Sequence, residues 1–484
     1  MKYTSTRDAS VAVSAARAVI DGISADGGLY VPTELPKLDY RALAALDYIG
    51  RADAVLRAFF DFDVSGVAAE AYATFETDDP APVVKTDDDV FFLELWHGRT
   101  HAFKDMALSV LPRLLTRAKK EEGETANTLV LVATSGDTGK AALEGFRDVD
   151  GTSVCVFYPT DGVSRVQKLA MQTQVGGNVC SVGITGNFDD AQTAVKNAFR
   201  DEKLKAALKA KNTVMSSANS INIGRLVPQI AYYFSAYCDL LNAGEIEDGD
   251  RIDFVVPTGN FGNILAGWYA AQMGLPINKL VCASNRNNIL TDFINTGVYD
   301  VNREFFKTES PSMDILVSSN LERLLFEMCD CDADRIKELM NALRVGGRYE
   351  VRKSEADKIR EMFDCGYADT DDTRAAIAEI FDEYGYLADT HTAVAYHVAA
   401  ERGFLRPTVI VSTANPYKFA PAVLKSLGEK ADGEATERTL EKLEELTAME
   451  IPSSLLDVFT LPVRFDEKID PSEIAEIIAK KFGA

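Results

Sequence analysis

Glu94-Leu-Trp-His-Gly-Arg-Thr-His-Ala-Phe-Lys-Asp-Met-Ala-Leu108 reads as the end of a strand, a glycine-containing turn and the start of an amphipathic helix. Ala102, Phe103, Met106, Ala107, Val110 and Leu111 recur at helical spacing and supply its apolar stripe. Lys104 falls in the first turn, where the positive end of the helix dipole disfavours an ammonium group. An amine of that kind can form a Schiff base with an aldehyde. Asp105 opposes part of the effect. A lysine early in a helix is otherwise an ordinary surface residue, so the reading needs support from elsewhere in the chain.

The same strand–turn–helix unit recurs outward from this segment. Apolar, β-branched or aromatic runs at 90–96, 128–134, 153–158, 179–184, 252–257, 279–284 and 408–413 alternate with helical patterns such as 138–147, 163–174 and 189–199. Strands apolar on both faces, alternating with helices, predict an α/β fold with a mostly parallel sheet covered by helices. The first 85 or so residues lack this rhythm and read as a small helical domain ending in the linker Asp78-Asp-Pro-Ala-Pro-Val-Val84. Residues 86–430 form the main α/β region, with a helix-rich, charged insertion at about 321–404. A charged tail, 431–484, carries helical patterns at 439–449 and 471–482.

Length and composition bound the rest. At 484 residues the chain is too long for one core, and roughly two to four domains are expected. Hydrophobic residues at 46% and charged residues at 26% fit a soluble globular protein. A formal charge of −23 argues against nucleic acid and anionic membranes as partners, though a local cluster of donors can still bind a small anion. The seven cysteines are scattered, which suggests reduced thiols in a cytoplasmic protein. Cys329 and Cys331 form only a CxC pair without a nearby histidine, so no metal site is expected. The N-terminus has no apolar signal core, and no stretch is apolar and long enough to span a membrane.

Two further motifs follow strands. Ala133-Thr-Ser-Gly-Asp-Thr-Gly139 opens a helix, and its small residues let amides and hydroxyls surround an anion. It is not a P-loop: only two residues separate Gly136 from Gly139-Lys140, and no Ser or Thr follows the lysine. Pro257-Thr-Gly-Asn-Phe-Gly-Asn263 follows the run Ile252–Val256 and precedes a helix over 264–273. Gly259 and Gly262 permit close backbone approach there, while Asn260 and Asn263 tolerate unusual dihedrals and donate hydrogen bonds. This is a phosphate cup at a helix dipole, without the GxGxxG dinucleotide fingerprint. One candidate lysine and two anion cups suggest two phosphates near one carbonyl chemistry.

On these residues the chain resembles the threonine synthase family, pyridoxal-phosphate enzymes of the tryptophan-synthase-β fold type. The matching stretches are Gly27-Gly-Leu-Tyr-Val-Pro32, His97–Asp105, Thr134–Gly139, Gln172–Asn178, Ser217–Asn222, Gly259–Asn263, His391–Ala395 and Ser412-Thr-Ala-Asn-Pro416. They run in the family's order over most of the chain, and the first favours the longer microbial and fungal form. The resemblance implies fold type II: two mostly parallel open α/β subdomains flanked by the small N-terminal domain.

It also implies roles. Lys104 carries pyridoxal 5'-phosphate on its amine and shuttles protons, making it the catalytic residue. Gly259, Asn260, Phe261, Gly262 and Asn263 hold the cofactor phosphate. Asp137 lies where related enzymes place an asparagine against the phenolic oxygen, and Thr413, or Ser412, faces the pyridine nitrogen. The implied substrate is O-phospho-L-homoserine, its phosphate bound by Thr134, Ser135, Asn219 and Arg225, with Lys168 adding charge. His391 serves the phosphate end or is a buried structural histidine. The implied activity is γ-elimination of phosphate and β-hydration to L-threonine, in a cytoplasmic monomer or homodimer. The alternative is another fold-type-II enzyme, such as a serine or threonine dehydratase or cysteate synthase, which needs no second phosphate clamp. Arg99, His101 and Asn415 depart from the residues common in the family.

Overall fold

The computed structural model describes residues 1–483 apart from Ser135 and Asp432, with the side chains of Phe188 and Asp189 also left out. Two open sheets organise the chain. The larger runs Phe363–Tyr367, Ile277–Ser284, Ile252–Pro257, Thr408–Ser412, Val90–Glu94 and Val83–Asp87. Its first five strands are mutually parallel, and Val83–Asp87 adds an antiparallel edge. The smaller runs Lys468–Ile469, Val179–Ile184, Thr152–Pro159, Asn127–Ala133 and Thr213–Ser216, parallel throughout. Every residue of Ile252–Pro257, Val90–Glu94 and Val179–Ile184 is buried, as strands covered by helices on both faces require.

The structure adds strands to segments that read as helical. Lys2–Ser5, Asp8–Ser14 and Tyr30–Pro32 form a three-stranded antiparallel sheet beside the N-terminal helices. The 321–404 segment supplies Phe363–Tyr367 to the edge of the larger sheet, and the tail supplies Lys468–Ile469 to the smaller. Asp8–Ser14, Phe363–Tyr367 and Lys468–Ile469 are edge strands with mixed burial, Lys2–Ser5 and Tyr30–Pro32 span only four and three residues, and no continuous apolar run marks any of them.

The helix drawn through Lys104 is also different. Ala102 makes an isolated bridge to Ala414, and the Phe103 amide donates to the Thr413 carbonyl, so both are held against the strand-end loop. Lys104 is the cap residue of a four-residue helix, Asp105–Leu108, and the long helix starts anew at Leu111–Glu122. Pro112 sits in the first turn of the second helix, where its missing amide is harmless, and its ring would have clashed with a carbonyl of a continuous helix.

The functional loops all leave the carboxyl ends of parallel strands. Val90–Glu94 leads to Lys104, Asn127–Ala133 to Thr134, Ile252–Pro257 to Gly259 and Thr408–Ser412 to Thr413. That is where open α/β sheets place their ligands.

Candidate active site

Lys104 is buried, and its Nζ donates to Ser312 Oγ at 3.3 Å. The ammonium lies 3.8 Å from Asp137 Oδ2 and 4.7 Å from the centre of the Phe103 ring. Burial pulls the Lys104 amine down to about 8; Asp137 resists, while Lys418 and Arg225 add to the fall. A four-residue helix has little dipole, so desolvation replaces the helix-end effect expected from sequence.

Asp137 stands between two ammonium groups. Its Oδ1 accepts from Lys418 Nζ at 2.9 Å and from Gln167 Nε2 at 3.0 Å. Burial alone would raise this carboxyl, but Lys418 and then Lys104 outweigh it and hold the group well below the usual carboxylate range. Lys418 also donates to the Thr100 carbonyl at 2.8 Å. Gly136 adopts φ +141°, and a Cβ there would lie 2.4 Å from the Gln167 side chain, so glycine lets that amide reach Asp137.

The Gly259–Asn263 cup opens the helix Gly262–Met273, whose first turn takes no side-chain cap. The left-handed residue is Phe261, at φ 62°, rather than either asparagine. Phe261 is buried and packs on Phe363, 5.5 Å between ring centres, and that packing holds a conformation costly to an aromatic residue. Tyr232 and Tyr233 donate to Asn263 Oδ1 at 2.6 and 2.8 Å, and among the described residues the buried Asn263 Nδ2 has no partner. Unpaired amides and an orphaned amide nitrogen at a helix start suit a phosphate. Asn260 is exposed, its carbonyl held by the Asn320 amide at 3.1 Å. A Cβ on Gly259 would lie 2.7 Å from the Ser312 carbonyl oxygen, so the turn bearing Ser312 touches both the cup and Lys104.

The second anion end is less complete. Arg225 is buried in the short helix Ile223–Leu226, capped by Asn222. Its Nη1 donates to the Ala218 carbonyl at 2.7 Å, and among the described residues no carboxylate lies within 4.0 Å. Burial draws the guanidinium down to about 10. The Thr134 hydroxyl accepts from the Gly136 and Gly139 amides at 2.9 and 3.0 Å, leaving its proton to donate. Asn219 is exposed, and Ser135 lies outside the described residues.

Thr413 is buried beside Lys104's loop, its amide donating to Thr392 Oγ1 at 3.3 Å. Ser412 is occupied: Trp96 Nε1 and Tyr386 and Thr392 hydroxyls contact its Oγ at 3.0, 3.2 and 3.3 Å. That favours Thr413 as the free hydroxyl. His391 shares a 2.8 Å Nδ1 contact with Asp389 Oδ1 and accepts from the Ser312 amide at 3.2 Å. It thus braces the turn against Lys104. Sequence reasoning missed Lys418, Ser312, Gln167, Asn320 and Asp389. Of these only Lys418 leaves a trace in the sequence, a lone cation in the apolar run Pro416-Tyr-Lys-Phe-Ala-Pro-Ala-Val423.

Comparison with known proteins fits this geometry. The family described as pyridoxal-phosphate dependent enzyme matches residues 80–414, threonine synthase N terminus matches 2–71, and threonine synthase C-terminal matches 392–478. Threonine synthase of Pseudomonas aeruginosa is 38% identical over 436 residues, covering 88% of this chain and 90% of that protein. The chain belongs to the threonine synthase family of pyridoxal-phosphate-dependent enzymes. The crystal structure of the pyridoxal-phosphate-bound threonine synthase from Brucella melitensis superposes with a TM-score of 0.88 at 36% identity, covering 100% of this chain and 99% of that one. Human threonine synthase-like 1 is 40% identical over 442 residues, covering 87% of this chain, which spans only 59% of that longer relative. Family membership brings pyridoxal phosphate as cofactor, and a buried lysine joined through the Ser312 turn to a cup whose Asn263 amide lacks a partner among the described residues fits it.

Proposed function

We propose that the protein is a threonine synthase, converting O-phospho-L-homoserine and water to L-threonine and inorganic phosphate. The observation that carries this reading is the surplus of buried positive charge around Lys104. Lys104, Lys418 and Arg225 all act on one site in which Asp137 is the closest carboxylate, although the whole chain carries −23. With the buried Asp105 also counted, three cations face two carboxylates, and an anion entering the site balances the one left over. A serine or threonine dehydratase, whose substrate carries no phosphate, has no use for the Arg225 end.

Bound pyridoxal phosphate supplies an electron sink for charge developing at a substrate carbon. Lys104 would hold the cofactor through its amine, and as a buried amine it would move protons between substrate carbons. Gly259, Asn260, Phe261, Gly262 and Asn263 would hold the cofactor phosphate, Asp137 would serve its phenolic oxygen and the neutral Thr413 hydroxyl its pyridine nitrogen. Thr134, Ser135, Asn219 and Arg225 bind the substrate phosphate, Arg225 through its paired donors. Phosphate still held there is a base for the water that adds to the substrate.

In this reading the protein is a monomer or homodimer, with a small-molecule substrate and no nucleic acid as partner. No helix among the described residues is long and apolar enough to cross a membrane. The seven cysteines are free thiols, which supports the cytoplasm. Residues 1–85, 86–430 and 431–484 are the N-terminal domain, the catalytic region and the tail in this reading.

The test is phosphate release from O-phospho-L-homoserine by the purified protein, with threonine quantified alongside and Lys104→Ala as control. Equal amounts of phosphate and threonine, absent in the variant, are expected. Phosphate with 2-oxobutyrate would favour a dehydratase, and no turnover by cofactor-loaded protein would remove the substrate assignment.

A further inference from the structure

Two buried lysines share one carboxylate in this site, and they do so unequally. Lys418 Nζ is 2.9 Å from Asp137 Oδ1, whereas Lys104 Nζ is 3.8 Å from Oδ2. Lys418 is further fixed by the Thr100 carbonyl at 2.8 Å, and Thr100 in turn donates from its amide and hydroxyl to Asp105 at 2.7 and 2.6 Å. Lys418 rises from the turn Pro416–Phe419, which Asn415 starts by accepting from the Tyr417 amide, while the Asn415 amide donates to the His101 carbonyl. The lysine is thus held by two other segments, through Asp137 and through Thr100. Among the described residues Lys104 Nζ makes one hydrogen bond, to the Ser312 hydroxyl.

We propose that Lys418 is a positioning residue for the lysine centre: by occupying the Asp137 carboxylate it leaves Lys104 as the lysine that gives up its proton and bonds to the cofactor aldehyde. The proposal rests on the assignment of Lys104 as the cofactor lysine. Without Lys418, Asp137 has a single ammonium to pair with, and that ammonium is Lys104. The other groups facing Lys104 are Arg225 from the helix Ile223–Leu226, Asp105 beside it in the chain, the Ser312 hydroxyl and the Phe103 ring. None of these changes when Lys418 is replaced. Lys418 itself faces Asp137, and its charge is felt at the neighbouring His101 and Asp105. His101 is buried and held neutral, down to about 3, chiefly by desolvation, so it cannot take over as the cation. The carboxyl of Asp105 is engaged by Thr100 and does not replace Asp137.

The test follows covalent linkage of added pyridoxal 5'-phosphate to the full chain freed of cofactor, by its visible absorption, as a function of pH. A single countercharge at this range moves an ionisation by about one pH unit or more. Lys418→Met should therefore move the midpoint of the rate profile upward by at least about one pH unit, with linkage about tenfold slower on the acid side. Lys418→Arg should keep the wild-type midpoint. The double variant Asp137→Asn with Lys418→Met, which removes a matched pair, should return the midpoint to the wild-type value or below it, and it keeps the test decisive if the single variant does not fold. An unshifted midpoint in Lys418→Met, or a raised one in the double variant, overturns the proposal. Borohydride reduction and peptide mapping separate the two layers. Label on a residue other than Lys104 in the wild type overturns the site assignment instead.

Discussion

Replacing Arg225 by methionine should stabilise the ligand-free protein while disabling it. Burial draws the guanidinium from its ordinary 12.5 to about 10, which at about 1.4 kcal/mol per pH unit is a cost of roughly 3 kcal/mol on the charged form. Methionine keeps most of the apolar stem, removes that cost and gives up the hydrogen bond to the Ala218 carbonyl, worth about 1 kcal/mol. The net expectation is a gain of about 1–2 kcal/mol, read as a higher urea midpoint in the absence of phosphate and cofactor. Function moves the other way. Removing one partner of a buried, charge-assisted contact costs about 2–5 kcal/mol, so kcat/KM for the phosphorylated substrate should fall by a factor of about 30 to several thousand. Competitive inhibition by inorganic phosphate should weaken in parallel. A variant that is less stable than wild type and retains kcat/KM would refute the reasoning, because Arg225 would then be holding the fold rather than waiting for an anion.

Other expectations follow from the same geometry. Linkage of the cofactor to the wild-type chain should accelerate as pH rises through about 8, the value burial sets for Lys104, and a midpoint near 10.5 would contradict the desolvated site. Because the folded state depresses this amine, Lys104 costs stability below about pH 8, a cost relieved as pH rises towards 10.5, and Lys104→Met should flatten that part of the stability profile. Gly259→Ala places a Cβ 2.7 Å from the Ser312 carbonyl and should weaken cofactor binding by about tenfold or more through displacement of that turn, measured by fluorescence titration. Asp389→Ala removes the cap of the helix Thr390–Arg402 and strands His391, a loss of roughly 2–4 kcal/mol by urea denaturation; a change under about 0.5 kcal/mol would show the His391 brace to be unimportant.

The central strands were legible because burial on both faces forces continuous apolar runs, and the predicted edges at 179–184 and 252–257 coincide with those observed. Strands half-exposed at an edge escaped: Val83–Asp87 has no fully buried residue, and Lys468–Ile469 is too short to show a period. The break after Lys104 was hidden because the apolar spacing runs on through Val110 and Leu111 while Pro112 restarts the helix. In the cup, glycine and asparagine are the residues expected at positive φ, yet Phe261 adopts it, because packing on Phe363 outweighs local preference. The candidate site residues were recognisable where they sit in motifs after strands. Lys418 and Ser312 were not: Ser312 meets Lys104 across 208 residues of chain, and Lys418 reaches Thr100 across 318. Such contacts are set by how the strand-end loops meet and have no local spacing to betray them.

The central claim, that this site breaks a carbon–oxygen bond and adds water to carbon, is tested most directly by turnover of O-phospho-L-homoserine in oxygen-18 water with mass analysis of both products. The account predicts one heavy oxygen in the hydroxyl of threonine and none in the released phosphate. Heavy oxygen in the phosphate, with homoserine as the organic product, would contradict it and leave the protein a phosphatase of this substrate.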